Sequence, residues 1–325
     1  MIPIRDTIPS RHYPAVNILL IVVNILFYLV EVSHGEALNR FIYTYGLVPA
    51  RYSVHKIALH FSVSQQILPF ISFMFLHGSF WHLLGNMWFL YIFGDNVEDR
   101  LGHLRYLFFY LLCGVSSAIT HLFFNLSSMM PTIGASGAIA GVMGAYFILY
   151  PQSKIVTLIP IIFIPYFVEL PAAIFLGIWL FMQFISATLT SMEAGNIAWW
   201  AHIGGFIFGA IFLKLFLIMP EQGISRKLSQ ATVIRSTPRL HMTRPVSHTG
   251  DSDLYADLSI TKEEAARGVK KLITIPFGYQ KRPLVLNVPP GTADGMRLRL
   301  AGMGKRTGDD GERGDLYLKI NVIKN

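Results

Sequence analysis

Only one cysteine, Cys113, occurs in the 325 residues, and it lies inside an apolar run. An intrachain disulfide and a cysteine-based zinc site are therefore excluded. Charge is scarce too: Asp, Glu, Lys and Arg make up 14% of the chain, against about 25% in soluble domains. A soluble or disordered protein is excluded on that ground. No cleavable signal peptide is expected, because the first apolar run, Val16 to Val32, follows Arg5 and Arg11 without a small-residue cleavage site. The sequon Asn125-Leu126-Ser127 is too common a pattern to carry weight.

What is present divides into two physically different parts. Hydrophobic residues make up 53% of the chain and the mean hydropathy is +0.47. Residues 1–222 hold nine basic and nine acidic residues, so the formal charge of +8 resides entirely in residues 223–325. An apolar, neutral module precedes a polar, basic one, and two domains also suit the length.

A membrane-spanning helix needs about 20 mostly apolar residues. Six stretches qualify, near 15–32, 75–93, 104–124, 135–150, 168–189 and 199–219. Residues 155–167 are apolar but carry Pro160 and Pro165, with Pro171 just beyond, and read as an interfacial connection into the fifth helix. Arg5, Arg11, Arg100, Arg105, Lys154, Arg226 and Lys227 fall on one side of this arrangement. The other side holds only Arg40, Arg51 and Lys56. The excess of basic residues marks the cytoplasmic face, so both the N-terminus and the tail are expected there.

Polar residues inside a bilayer are costly and point to function. Spans two, four and six run in the same direction, from outside to inside. His82 and Asn86 in span two, Ser136 at the start of span four and His202 at the start of span six therefore share one depth, toward the outer face. A serine and a histidine at matched depth can form a nucleophile–base pair, although each taken singly is more often a packing or interhelical hydrogen-bonding residue. His82 and Asn86 are spaced i, i+4, on one helix face, where with the Ser136 N–H they can hold an oxyanion. The small residues Gly137 and Gly141 in span four, and Gly205 and Gly209 in span six, suit close helix approach. That approach would bring Ser136 against His202. His77 reads as a cap or orienting residue of span two, and Glu169 as interfacial. His12, His34, His55, His60, His103 and His121 lie at boundaries or in loops and need no chemistry.

These segments resemble the rhomboid family of intramembrane serine proteases. Gly134-Ala135-Ser136-Gly137 is similar to its GxSG motif, and Ala201-His202-Ile203-Gly204-Gly205-Phe206-Ile207-Phe208-Gly209 to its AHxxGxxxG motif. His77, His82 and Asn86 resemble its HxxxxHxxxN pattern. Gly94 to Gly102 and the loop Gly46-Leu47-Val48-Pro49-Ala50 also look rhomboid-like, and the resemblance covers about residues 10–220. It implies a catalytic dyad of Ser136 and His202, an oxyanion hole with His82 and Asn86, and cleavage of single-span membrane proteins near the outer face. The Trp-Arg pair often found before span two in the family is absent; Leu68-Pro69-Phe70 stands there.

Residues 220–250, rich in Ser, Thr, Arg and Pro, read as a flexible linker. Its basic residues Arg226, Lys227, Arg235 and Arg239 suit an anionic lipid surface. Beyond it, short alternating stretches at Val285–Val288, Met296–Leu300 and Asp315–Val322 read as strands. Pro289-Pro290-Gly291, Asp294-Gly295 and Gly308–Gly314 mark turns. Thr261-Lys262-Glu263-Glu264 reads as a capping box. This region, about 252–323, resembles the C-terminal β-sandwich domain of DnaJ-type co-chaperones, through Asp253 to Thr261, Val288-Pro289-Pro290-Gly291-Thr292, Arg297 to Leu300 and Gly314 to Leu318. The resemblance implies binding of extended apolar peptides by strand addition. The J domain's His-Pro-Asp signature is absent.

The expected fold is thus an all-α, six-span membrane bundle over 1–220, a basic linker over 221–250, and a small β-sandwich over 251–325. The expected function is intramembrane serine endopeptidase, in the inner cell membrane, acting on single-span membrane proteins. The tail would bind extended peptide segments. No metal, cofactor or nucleic acid is expected. The alternative is a non-proteolytic membrane adaptor that holds clients.

Overall fold

The computed structural model describes residues 1–161, 164–189, 197–218, 223–233, 240–242, 252–277, 280–305 and 313–323. The chain forms two compact units, Met1–Ile234 and Arg235–Asn325.

Among the described residues, the long helices of the first unit are α1 (Ala15–Ser33), α2 (Phe80–Leu101), α3 (His103–Phe124), α4 (Ser136–Leu149), α5 (Ala172–Leu189) and α6 (Trp199–Ile218), with shorter helices between and after them. Among the described residues, α1, α3, α5 and α6 are each long and apolar enough to cross a membrane. The chain is a multi-pass membrane protein. The other two helices differ from simple spans. The apolar segment Val63–Phe75 meets α2 at a 76° bend, so the expected span near 75–93 begins at Phe80 and runs on to Leu101. α4 has 14 residues, about 21 Å at 1.5 Å per residue, and is shorter than the hydrocarbon thickness.

The first unit is not purely helical. β1 (Ile2–Asp6), β2 (Lys154–Ile161) and β3 (Ile164–Pro171) form an antiparallel sheet in the order β1-β2-β3. Residues 155–161 and 164–167, expected as part of an interfacial connection, therefore belong to an antiparallel strand pair. Its prolines sit opposite one another, Pro160 against Pro165. Glu169 is exposed, with Lys154 Nζ 2.8 Å from its carboxylate. The sheet is pinned to the helices. Trp88 Nε1 donates to the Pro3 carbonyl (2.6 Å), and Asp6 Oδ2 accepts from Tyr146 Oη (2.7 Å) and Asn96 Nδ2 (2.8 Å).

Burial dictates the polar chemistry between α1, α2 and α3. The Glu98 carboxylate, 1% exposed, accepts from the Val16 and Asn17 N–H groups at 2.9 and 2.7 Å. It thus satisfies first-turn donors of α1 that have no partner within their own helix. His103 closes on the same carboxylate, so it is buried in the bundle rather than idle at a boundary.

The linker expectation needs a correction. Gly223–Ala231 forms helix α7, and Thr232 accepts the Tyr13 N–H at 2.7 Å and lies 2.7 Å from His103 Nε2. The first unit therefore extends past residue 220. Most of the remaining linker, with Arg235 and Arg239, and the side chains of Arg226 and Lys227 lie outside the described residues.

In the second unit, β4 (Leu240–Met242), β6 (Val269–Phe277) and β7 (Gln280–Val288) form one sheet, ordered β4-β6-β7. β5 (Leu254–Thr261), β9 (Leu316–Ile323) and β8 (Arg297–Leu300) form the other, ordered β5-β9-β8. Alternate residues of β5 and β9 are buried, and Leu258, Ile260, Leu318 and Ile320 join Ile273 and Leu286 in one core. Thr261 and Glu264 cap helix α8 (Lys262–Arg267) through a reciprocal capping box. The expected turn at Gly308–Gly314 falls largely outside the described residues.

Candidate active site

The site is built where α4 and α6 touch. A Cβ on Gly205 would lie 2.0 Å from the Gly137 carbonyl oxygen, and one on Gly209 would lie 2.1 Å from that of Gly141. Only glycine admits backbones this close. The contact brings the N-terminal ends of both helices together, and His202 Nε2 lies 2.7 Å from Ser136 Oγ. His202 is 9% exposed.

Two residues of α5 complete the surroundings of His202, and sequence reasoning did not single out either. Gln183 Oε1 is 2.8 Å from His202 Nδ1. The Trp179 ring lies 6.0 Å from the imidazole, tilted by 35°. The signal for Gln183 was a lone amide in the C-terminal half of an otherwise apolar span.

Ser136 is the first residue of α4, and Ala135 precedes it as the cap. Its N–H therefore has no acceptor within the helix, and the partial positive charge of the helix end falls there. The opposite wall is α2. The N-cap of α2 is Ser79, whose side chain accepts from the His82 N–H, so the capping role expected of His77 belongs to Ser79. His77 orients α2 through its main chain. Its carbonyl lies 2.7 Å from His82 Nδ1, and its N–H donates to the buried Glu31 carboxylate at 2.8 Å. The Gly78 N–H donates to the same carboxylate at 2.8 Å.

His82 Nε2 and Asn86 face the backbone just before Ser136. A Cβ on Gly134 would lie 2.7 Å from His82 Nε2 and 3.5 Å from Asn86 Nδ2. Gly134 also has φ +123°, a region closed to residues with a side chain. Asn86 Nδ2 is buried and finds no hydrogen-bond partner among the described residues. An unpaired buried amide donor is costly, and it is pre-positioned for an acceptor arriving from outside the protein. The four residues Ser136, His202, His82 and Asn86 line one cleft of about 1020 Å³ with Met143 and Trp179.

The loop before Ser136 is held from two sides. Leu47 and Thr132 exchange backbone hydrogen bonds at 3.0 and 2.8 Å, and the Gly134 N–H donates to the Phe73 carbonyl at 2.8 Å. His121 Nε2 lies 2.9 Å from Thr132 Oγ1, so this histidine, expected to be idle, anchors the loop and reaches the cleft wall. The Gly46–Ala50 segment thus supports the loop that carries Gly134.

The fold and cleft define a polytopic membrane protein with a serine–histidine pair set among its helices. Residues 64–218 match the Rhomboid domain family, and residues 254–325 match the DnaJ C terminal domain. Residues 64–218 are thus a rhomboid domain, and a DnaJ C-terminal domain follows over residues 254–325. It is 27% identical over 199 residues to "Rhomboid protein 1, mitochondrial" of Saccharomyces cerevisiae, covering 59% of this chain and 51% of that protein. It is 30% identical over 156 residues to "RHOMBOID-like protein 6, mitochondrial" of Arabidopsis thaliana (47% and 45% covered). It is 28% identical over 188 residues to "Presenilin-associated rhomboid-like protein A, mitochondrial" of Danio rerio (54% and 45% covered). The chain spans about half the length of the curated relatives it matches.

Proposed function

We propose that the protein is an intramembrane serine endopeptidase that cleaves single-span membrane proteins near the outer face of the bilayer. The observation that carries this reading is the 2.7 Å approach of His202 Nε2 to Ser136 Oγ inside a cleft. Ser136 Oγ attacks the scissile carbonyl as its proton passes to His202 Nε2. The resulting oxyanion takes hydrogen bonds from Asn86 Nδ2 and the Ser136 N–H, and from His82 Nε2 in the imidazolium form of that ring, since the Nδ1 hydrogen goes to the His77 carbonyl. The imidazolium returns its proton to the leaving amine, and water hydrolyses the acyl-enzyme by the same steps in reverse order.

The excess of basic residues on one side supports an N-terminus and a DnaJ-like domain in the cytoplasm, with the membrane helices in the inner cell membrane. The second domain then offers its sheet edges to extended apolar peptides. The membrane domain, the residues bridging to it and the β domain follow the division 1–220, 221–250 and 251–325, amended by the docking of α7.

The test is cleavage of a tagged single-span substrate in liposomes by the full chain and by Ser136→Ala and His202→Ala. Product formed by the wild type and lost in both variants is the expected result. Wild type that binds substrate without cleaving it would favour a client-holding adaptor, the role suggested by the DnaJ C-terminal match.

A further inference from the structure

Nothing in the sequence motifs says how the tautomer of His202 is chosen, yet the chemistry depends on it. An imidazole can take the Ser136 proton only if Nε2 carries a lone pair, which requires the ring hydrogen to sit on Nδ1. We propose that Gln183 is the positioning residue that enforces this tautomer. The inference rests on the serine protease reading above and extends it by a third side chain.

The amide has two chemically different ends, and its surroundings decide which faces the histidine. Gln183 Nε2 donates to the Trp179 carbonyl, one turn back on the same helix, at 3.3 Å. A carbonyl oxygen cannot donate, so the NH2 end must face it. The other end, Oε1, is then the atom 2.8 Å from His202 Nδ1. An amide oxygen can only accept, so Nδ1 must be the donor and Nε2 presents its lone pair to Ser136 Oγ. Gln183 is 6% exposed and His202 9%, so water competes poorly for either group. Trp179 and Gln183 are spaced i, i+4 and share one face of α5. A single helical turn therefore supplies both the ring beside the imidazole and the acceptor that fixes its rotation. Because α5 carries neither the nucleophile nor the base, a displacement of this helix would misalign His202 without touching Ser136.

The experiment compares full-length wild type with Gln183→Met, Gln183→Leu and Gln183→Glu in liposomes. It reads kcat and KM on the tagged substrate, the rate of Ser136 labelling by a fluorophosphonate, and the thermal unfolding midpoint. Met and Leu keep the volume and remove the acceptor, whereas Glu keeps an acceptor oxygen at the same reach. The expected result is a fall in kcat of about 10- to 100-fold for Met and Leu, the usual effect of removing an imidazole's orienting partner at metal sites. KM should stay unchanged, labelling should slow in parallel, and Glu should restore most of the rate. Wild-type kcat in Met or Leu would overturn the inference. So would a Glu variant as slow as Leu, or a loss of activity that merely follows a lower unfolding midpoint. Absence of both cleavage and labelling in the wild type would instead overturn the protease reading itself.

Discussion

Gly205 of α6 sits against the Gly137 carbonyl of α4, with room for no further atom: a Cβ there would lie 2.0 Å from the oxygen. This contact sets the spacing of the two helices that carry Ser136 and His202. The side-chain hydrogen bond between those residues is a consequence of backbone packing one turn away.

Gly205→Ala should therefore lower stability by about 1–3 kcal/mol, the range for overpacking a dense core, and should suppress cleavage by separating Ser136 from His202. The neighbour is a carbonyl in a helix, which cannot rotate aside. Gly177→Ala is the control, because no atom lies within 4 Å of a Cβ at that position. It should raise stability by about 0.5–1 kcal/mol. Thermal unfolding in detergent checks both, and equal effects at the two sites would refute the packing argument.

Asn86→Ala and His82→Ala should each lower kcat by about 10²–10³, the effect of losing one oxyanion donor, with KM little changed. Asn86→Ala removes a buried donor that has no partner among the described residues, so the folded state should lose little stability. Steady-state kinetics alongside unfolding separates the two effects. A kcat within experimental error of wild type would remove Asn86 from the oxyanion hole.

Glu31 acts on the same wall from a distance. Its carboxylate holds the His77 and Gly78 N–H groups, and the His77 carbonyl in turn holds His82 Nδ1. Glu31→Gln replaces one acceptor oxygen by a donor and should cost about 1.5–3 kcal/mol, the range for hydrogen bonds to charged groups. It should also slow Ser136 turnover through a loosened His82. Unchanged unfolding would sink this prediction.

Asp6, in β1, supplies a pH signature. Burial foremost, with a smaller push from Asp95, raises its carboxyl from 3.8 to about 6. The folded state thus holds this proton more tightly than the unfolded chain does. Its contribution to stability is fully present below pH 4, falls as pH rises toward 6, and is flat above that. Asp6→Asn keeps an acceptor for Tyr146 and removes the titration. The difference in unfolding midpoint between wild type and Asp6→Asn should therefore change across pH 4–6 and be constant above it. A difference independent of pH across 4–7 would refute the assignment.

Local physics leaves clear marks in this sequence. Long apolar runs are visible without a fold, because a helix in a bilayer must satisfy its backbone internally and face lipid. Thr261 and Glu264 announce the start of α8 because a capping box involves residues three apart. Ser136, His202, His82 and Asn86 stand out because polar groups are rare in such runs. The β1-β2-β3 sheet left no such mark. Its strands come from residues 2–6, 154–161 and 164–171, and the proline-broken apolar run between α4 and α5 has no alternation to distinguish a strand pair from an interfacial coil. The stretch after residue 220 read as linker by composition, yet α7 is followed by Thr232, which binds Tyr13 and His103 more than a hundred residues away.

What the sequence determined by itself was the membrane character of residues 1–220, the polar residues within its spans and the separate β-rich character of the tail, since each follows from composition and spacing along the chain. Only the tertiary structure decided that Gln183 meets His202, that Glu31 reaches His82 through the His77 peptide, and that Asn86 Nδ2, on the cleft wall, finds no partner among the described residues. Those are relations between helices, set by how closely glycine backbones approach, and no local period encodes that distance.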